Sequence, residues 1–138
     1  MAMIGVEWAS VPLRLILGAI FIVHGYPKLF KDFKKVAGWL ASEGFKPGAF
    51  WAFVLGATEF LGGVAILVGV ASRVAAGLLI ISMSTALLMG IFKWKKPFTK
   101  APEAGWEFDA IILAGLIALF LLGSGMLSAD QLIGWMLG

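Results

Sequence analysis

The stretch FWAFVLGATEFLGGVAILVGV, residues 50–70, decides the fold class of this chain. It carries one charged side chain, Glu59, and it is long enough to cross a bilayer, which takes about 20 helical residues rising about 1.5 Å each. Hydrocarbon offers no water to unpaired backbone groups, and the apolarity is continuous rather than alternating, which excludes a β-barrel strand. The segment is therefore predicted to be a transmembrane α-helix.

Three further stretches have the same character, and the predicted spans are 11–30, 50–70, 74–92 and 107–123. Of the 138 residues, 61% are hydrophobic and 14% are charged, whereas a soluble domain has about 25% charged residues. The first span is expected to remain in the protein, because Glu7 precedes it and lysines follow it, unlike a cleaved signal peptide. We predict an all-α fold: one domain over residues 1–138, an integral membrane four-helix bundle.

Two short interfacial helices are predicted outside the spans. In residues 31–44, Phe33, Val36 and Leu40 recur at helical spacing among lysines, which is typical of an amphipathic helix at the membrane surface. In residues 128–137, Ser128 and Gln131 have the spacing of a capping box that opens a helix.

The positive charges indicate an orientation. Nine lysines lie in the first and third loops, and they are Lys28, Lys31, Lys34, Lys35, Lys46, Lys93, Lys95, Lys96 and Lys100. The opposite side has only Arg14 and Arg73. The positive-inside rule then places the lysine-rich loops in the cytoplasm and both termini outside, in a membrane expected to be a prokaryotic plasma membrane.

The tryptophans and the net charge agree with this topology. All six tryptophans fall at or beyond predicted helix ends, as in an interfacial aromatic belt: Trp8, Trp39, Trp51, Trp94, Trp106 and Trp135. The net charge of +3 is thus explained by topology, and no nucleic-acid partner is expected. A second interpretation is that the lysines bind anionic lipid headgroups or an acidic partner.

The composition also restricts the chemistry. The chain has no cysteine, which excludes disulfides, thiol relays, zinc–thiolate sites and iron–sulfur ligation by this chain. It has one histidine, which argues against a self-sufficient haem or multi-histidine metal site. No metal site and no catalytic residue is predicted.

Ionisable residues inside the spans are the candidate site, because each costs about 2.5–3.5 kcal/mol at a helix centre and is rarely left facing lipid. Measured from the outer helix ends, His24 lies about 20 Å deep, Glu59 about 17 Å and Asp109 about 21 Å. Lys28 lies four residues after His24 on the same face, and Thr85 comes to a similar depth. The sequence predicts that these five residues form one polar cluster.

Two interpretations of this cluster remain open. As a fastener, Glu59 pairs with His24 or Lys28 and hydrogen-bonds Thr85, which ties the helices together. As a functional site, His24 and Glu59 exchange protons beside a bound quinone headgroup or another small ligand. For Asp109 a separate alternative is that it caps the fourth helix.

A second polar group is predicted at the outer boundary. Arg14, Arg73 and Asp130 all lie near it, and a carboxylate–guanidinium pair there would tie the last short helix to the first and third spans. A surface clasp of this kind, or simple snorkelling, is favoured over a functional site.

Four short stretches carry a resemblance to a known family. They are RLILGAIFIVHGYPKL at 14–29, EFLGG at 59–63, LVGVASR at 67–73 and GSGMLSAD at 123–130. Together they resemble the DoxX family of small four-helix membrane proteins. The resemblance implies a link to membrane redox complexes, which in this family include a subunit of thiosulfate:quinone oxidoreductase. Some relatives handle disulfide chemistry, which a chain without cysteine cannot perform alone.

Three functional classes follow. The first is a membrane subunit of a quinone-linked redox system that binds quinone or anchors a catalytic partner, and it needs a redox partner because the chain has no evident electron carrier. The second is a non-catalytic membrane scaffold or assembly factor. The third is a small proton-coupled permease, which would require a homo-oligomer. The first is favoured, with quinone as the candidate cofactor and the lipid bilayer as a partner.

Overall fold

A computed structural model of the chain describes residues 5–134. Within that range the chain forms no β-strand, and its α-helices are α1 Ser10–Tyr26, α2 Phe33–Ser42, α3 Gly48–Val68, α4 Ser72–Leu88, α5 Trp106–Leu122 and α6 Ala129–Ile133. The all-α prediction is confirmed. The predicted belt residue Trp135 and the last part of the predicted helix 128–137 lie outside the described residues.

Two of the long helices change from α-helix to the wider π-helix at the end where the lysines lie. α1 continues into a five-residue π-helical segment, Pro27–Lys31, and α4 continues into another, Met89–Lys93. The predicted spans 11–30 and 74–92 treated these stretches as uniform α-helix. In α1 the change begins at Pro27, which has no N–H to donate to the preceding turn and so cannot continue the α-helical hydrogen-bond ladder.

Three helical stretches of the described chain are long and apolar enough to cross a membrane, and they are Val6–Lys31, Gly48–Val68 and Ser72–Lys93. α5 has 17 residues, which rise about 25 Å against the roughly 30 Å of hydrocarbon. The fourth crossing therefore stays a prediction. α5 nevertheless packs against α4 and α1, so that α1, α3, α4 and α5 form an antiparallel bundle in that order.

The bundle has an apolar core and an apolar outer surface. The core comprises mainly large aliphatic side chains from the four long helices, and among them are Leu17, Phe21, Ile66, Leu79, Met83, Ile112, Leu116 and Leu119. Exposed side chains such as Leu15, Ile81 and Ile111 are equally apolar. Apolar residues on both the inner and outer faces are expected of helices whose solvent is lipid.

Glycines set the spacing of α1 and α3. Gly18 and Gly25 of α1 meet α3, Gly63 of α3 meets α1, and Gly56 of α3 meets Leu29 in the π-helical segment that continues α1. A Cβ atom on Gly63 would lie 2.9 Å from the backbone nitrogen of Ile22 and 3.0 Å from the carbonyl oxygen of Gly18. Small residues at such positions let two membrane helices approach closely, so that van der Waals packing holds them together. This contact places the middle of α3 directly against α1.

Candidate functional site

Two polar groups lie at opposite ends of the bundle. The lysine-rich end is where α1 and α4 end and where α3 and α5 begin. The arginine end is where α1 and α4 begin and where α3 and α5 end. Most of the predicted site residues lie near one of these two ends.

Towards the lysine-rich end, Lys28 and Glu59 form an ion pair between α1's π-helical segment and α3. The Lys28 ammonium donates to both carboxylate oxygens of Glu59, at 3.0 Å to Oε1 and 2.8 Å to Oε2. The Glu59 side chain is 7% exposed and that of Lys28 is 33% exposed. A carboxylate in such apolar surroundings requires a partner, and Lys28 supplies it.

Gly25 determines how close this pair can come. A Cβ atom at Gly25 would lie 2.5 Å from the backbone nitrogen of Phe60 and 2.9 Å from Cβ of Glu59. No side chain fits there, so the α1 backbone rests on α3 at Glu59. Lys28 follows Gly25 by three residues, roughly on the same helical face, and its side chain reaches Glu59 from there.

His24 lies beside this pair but does not join it. Its side chain is exposed on the outer surface of the bundle, and its ring centroid lies 6.4 Å from that of Phe108 on α5. Among the described residues, the Glu59 carboxylate accepts hydrogen bonds from Lys28 and none from His24. Of the two predicted partners of Glu59, the structure selects Lys28, and it leaves the imidazole exposed on the surface of the bundle.

The other two residues of the predicted cluster lie apart. Thr85 is exposed on α4, and its hydroxyl donates to the carbonyl of Ile81 in its own helix at 3.0 Å, so it does not bond Glu59 as the fastener interpretation expected. Asp109 is partly exposed in the first turn of α5, where a carboxylate interacts favourably with the helix dipole. The structure therefore brings Lys28 and Glu59 into contact and leaves Thr85 and Asp109 outside that contact.

At the arginine end, Arg14 is the central side chain. It is 2% exposed, and its terminal nitrogens donate to the carbonyls of Met126 at 2.7 Å, Leu127 at 2.9 Å and Leu67 at 3.4 Å. These carbonyls belong to the loop after α5 and to the last turn of α3. The guanidinium therefore joins three parts of the chain through backbone oxygens.

Asp130 completes this group from α6. Its side chain is 3% exposed and accepts a hydrogen bond from Ser124 at 2.7 Å, and its backbone N–H donates to the carbonyl of Gly69 at 2.9 Å. Ser124 also contacts the hydroxyl of Ser72 at 2.7 Å. The predicted clasp was a carboxylate–guanidinium pair, and no direct ion pair joins Arg14 and Asp130 within the part of the chain that the structure describes.

Arg73 stands apart from this group. It is exposed, and it donates to the carbonyls of Phe120 at 3.1 Å and Leu121 at 3.4 Å, at the last turn of α5. A cation at a helix C-terminus satisfies free carbonyls and interacts favourably with the helix dipole. Its role is to cap α5, which the predicted clasp of three residues did not foresee.

Sequence reasoning missed the serines of the arginine end. Ser10, Ser72, Ser124 and Ser128 are all nearly or fully buried there. Within residues 5–134, Ser10 Oγ, Arg14 Nε and Asp130 Oδ1 are buried without a hydrogen-bond partner. The one available signal was the capping pattern at Ser128, whose hydroxyl accepts from the backbone of Gln131 at 3.1 Å. In the predicted capping box, the Gln131 side chain would accept a hydrogen bond from the backbone N–H of Ser128. In the structure the Gln131 amide oxygen accepts from the backbone N–H of Leu127 instead.

An apolar groove of about 370 Å³ lies between α3 and α4, and no residue of the two polar groups lines it. Small side chains line much of it, and these include Ala57, Thr58, Gly62, Ala65, Ala71 and Ala75. Neither Glu59 nor Lys28 lines this groove. Over the described residues, no group of three side chains could hold a metal ion.

The fold and this site define a small helical membrane protein with a Lys–Glu pair between two of its helices, in which the carboxylate is buried. The chain belongs to the DoxX family, whose sequence model matches residues 9–94. The matched region contains Arg14, His24, Lys28 and Glu59, whereas α5 and α6 follow it.

Two relatives are similar over most of their length. A Bacillus subtilis protein named "Putative oxidoreductase CatD" is 33% identical over 127 residues, which cover 92% of this chain and 88% of that protein. A Mycobacterium tuberculosis protein named "Uncharacterized membrane protein Rv3486" is 29% identical over 126 residues, which cover 86% of this chain and 77% of that protein. No solved structure gives a significant match.

Proposed function

We propose that this chain is a membrane subunit of a quinone-linked redox system, and that a quinone headgroup binds beside Lys28, Glu59 and His24. The observation that carries the proposal is an ion pair with a buried carboxylate, flanked by an imidazole that is exposed on the surface of the bundle. A quinone is dissolved in the hydrocarbon and would approach from that side. The name of the Bacillus subtilis relative, an oxidoreductase, supports a redox role.

The side chains at this site fit a quinone headgroup. Quinone carbonyl oxygens require hydrogen-bond donors, and the Lys28 ammonium and the His24 imidazole are donors one helical turn apart. Phe108 lies next to His24 and offers an aromatic ring for a planar headgroup. Small-molecule sites commonly combine apolar walls with a few such polar groups.

A bound quinone would supply a two-electron, two-proton acceptor. Lys28 and His24 would orient its carbonyls, and Glu59 would hold the Lys28 ammonium in place and stabilise its charge. The electrons must come from a partner subunit, because amino-acid side chains of this chain provide no electron carrier.

We further propose that the chain crosses the membrane four times with the lysine-rich end in the cytoplasm. The arginine end would then lie outside, together with both ends of the chain. The distribution of lysines supports this orientation through the positive-inside rule. The site would lie nearer to the cytoplasmic surface, so its protons would exchange with the cytoplasm.

The test measures quinone retained by protein purified in lipid nanodiscs, for the wild type, Glu59→Gln and His24→Ala. Lys100→Gln is the matched control, because Lys100 forms an exposed ion pair with Glu103 at the same end of the bundle. We expect the wild type and the control to bind added ubiquinone or menaquinone, and the two site variants to bind at least about tenfold more weakly, a loss of about 1.4 kcal/mol.

Thermal unfolding of the same samples separates binding from folding. The proposal requires that His24→Ala lose quinone while its melting temperature stays near that of the wild type, since the exposed imidazole holds no helices together. If both variants keep quinone, or lose only thermal stability, Lys28 and Glu59 are a fastener.

The second candidate function is a non-catalytic scaffold or assembly factor. The position of the ion pair favours this function, because the pair joins α1 to α3 where the two backbones already touch. The groove between α3 and α4 is not lined by the pair, so it offers no ligand cavity beside the charges. A scaffold would co-purify with a partner subunit and retain no quinone. The quinone measurement therefore distinguishes the two functions.

A further inference from the structure

A second constellation lies at the lysine-rich end, where α2 meets the segment that follows α4. The rings of Trp39 and Trp94 lie 5.6 Å apart between centroids and are tilted by 37°. The Lys93 ammonium lies 2.7 Å from Glu43 Oε2, and the Trp94 indole N–H donates to the same oxygen at 3.4 Å. Aromatic and ionic contacts thus hold α2 and this segment together, and we call this contact the tryptophan junction.

The charges at the tryptophan junction do not cancel. Glu43 is neutralised by Lys93, but two other lysines flank the indole pair. Lys96 places its ammonium 5.7 Å from the centroid of the Trp94 ring, and Lys35 precedes Trp39 by four residues on the same face of α2. Both are exposed, and neither forms an ion pair within residues 5–134.

An exposed apolar side chain adjoins the junction. Phe92 immediately precedes Lys93 and is 67% exposed, as expected of a residue that contacts lipid. The other side of α2 packs on α3 and buries Leu40, which directs the lysine-bearing face away from the bundle. Tryptophans at this depth typically lie at the level of lipid headgroups.

We propose that the tryptophan junction is a binding site for an anionic phospholipid. The ammonium groups of Lys35 and Lys96 would bind the phosphate of its headgroup, and Trp39 and Trp94 would contact its glycerol region. Its acyl chains would lie along the exposed face near Phe92. Free phosphate shares the headgroup chemistry, but a lipid alone satisfies the cations and the apolar surface together.

The test measures binding of phosphatidylglycerol and of phosphatidylcholine to the detergent-purified full chain by native mass spectrometry. We expect the wild type to prefer phosphatidylglycerol. Each of Lys35→Gln and Lys96→Gln should reduce that preference about fivefold, and the double variant about thirtyfold, since one basic residue near an anionic lipid surface contributes about that factor. Lys35→Arg with Lys96→Arg should retain the preference, because both positive charges remain, and this would show that the loss in the glutamine variants comes from the missing charge.

Lys34→Gln is the matched control, because Lys34 is also exposed on α2 but projects from a different face than Trp39. An equal loss of preference in Lys34→Gln would overturn the site, since it would show only a general effect of net charge. Competition by inorganic phosphate at the same concentration as the lipid would also overturn it, in favour of a free-anion site. Retained preference in the double glutamine variant would show that the lipid binds elsewhere.

Discussion

Gly25 and Glu59 face each other where α1 crosses α3, and a Cβ atom on Gly25 would lie 2.9 Å from Cβ of Glu59. This close approach brings Lys28 within 2.8 Å of the Glu59 carboxylate. One glycine thus determines both the packing of two membrane helices and the geometry of the ion pair between them.

Gly25→Ala should separate α1 from α3 locally and destabilise the protein by about 1–3 kcal/mol, the usual cost of overpacking. The measurement is thermal unfolding in detergent, followed by circular dichroism. Gly38→Ala is the control, because Gly38 lies in α2 with no atom within 4 Å of its added Cβ. That substitution should be neutral or stabilise by up to about 1 kcal/mol. Equal melting temperatures for the two variants would show that the α1–α3 contact is looser than described.

The Lys28–Glu59 pair should show strong energetic coupling. Replacing either residue alone leaves a buried or partly buried charge without a partner, whereas replacing both by apolar residues removes the cost. In a double-mutant cycle with Lys28→Met and Glu59→Leu, we expect a coupling energy above about 1 kcal/mol, measured by unfolding. The exposed Lys100–Glu103 pair serves as the reference and should give about 0–1 kcal/mol. Similar coupling in both cycles would contradict the burial of Glu59.

Arg14→Lys should loosen the arginine end. A lysine cannot reproduce the two short hydrogen bonds to the carbonyls of Met126 and Leu127, and we expect a loss of about 2–4 kcal/mol. Arg73→Lys is the control, since Arg73 is exposed and its bonds are longer, and it should cost less than about 1 kcal/mol. Thermal unfolding measures the loss of stability, and limited proteolysis measures how easily the segment after α5 is cleaved. If that segment is as protected from cleavage in Arg14→Lys as in the wild type, the role of Arg14 is refuted.

The tryptophan junction should weaken in acid. The hydrogen bond from Lys93 lowers the pKa of the Glu43 carboxyl group below its ordinary value. A group with a lowered folded pKa stabilises the fold fully above its unfolded pKa of about 4.5, and this contribution is lost as the pH falls through the folded pKa.

Tryptophan fluorescence between about pH 6 and about pH 3 measures this loss, because the Trp39–Trp94 contact reports on the junction. Glu43→Gln cannot titrate, so its fluorescence should lack the transition. A transition of unchanged size in Glu43→Gln would assign the effect to another carboxyl group.

The candidate site could be predicted from the sequence only in part. That Glu59 needs a partner followed from the cost of a charge in hydrocarbon, and Lys28 was one of two candidates. The choice between Lys28 and His24 depended on how α1 rotates against α3, which Gly25 fixes through packing. Thr85 was expected at the same depth, but depth along a helix does not determine which way a side chain points, and Thr85 bonds its own helix.

At the arginine end, the residue types suggested a carboxylate–guanidinium pair among Arg14, Arg73 and Asp130, whereas the Arg14 guanidinium binds carbonyls of a loop. Loop carbonyls leave no mark in a sequence, because every residue has one. The buried serines were missed for another reason: small polar residues near helix ends are usually exposed, so their burial could not be expected from the sequence.

The sequence by itself determined the all-α membrane fold, because hydrophobicity and length act locally and each segment must satisfy its own backbone in lipid. It also indicated which ionisable residues were candidates for a polar site. Only the tertiary structure decided that Glu59 meets Lys28, that His24 is exposed on the bundle surface and that Arg14 holds the chain after α5. Those relationships depend on the rotation and separation of packed helices, which arise from contacts between residues far apart in the chain.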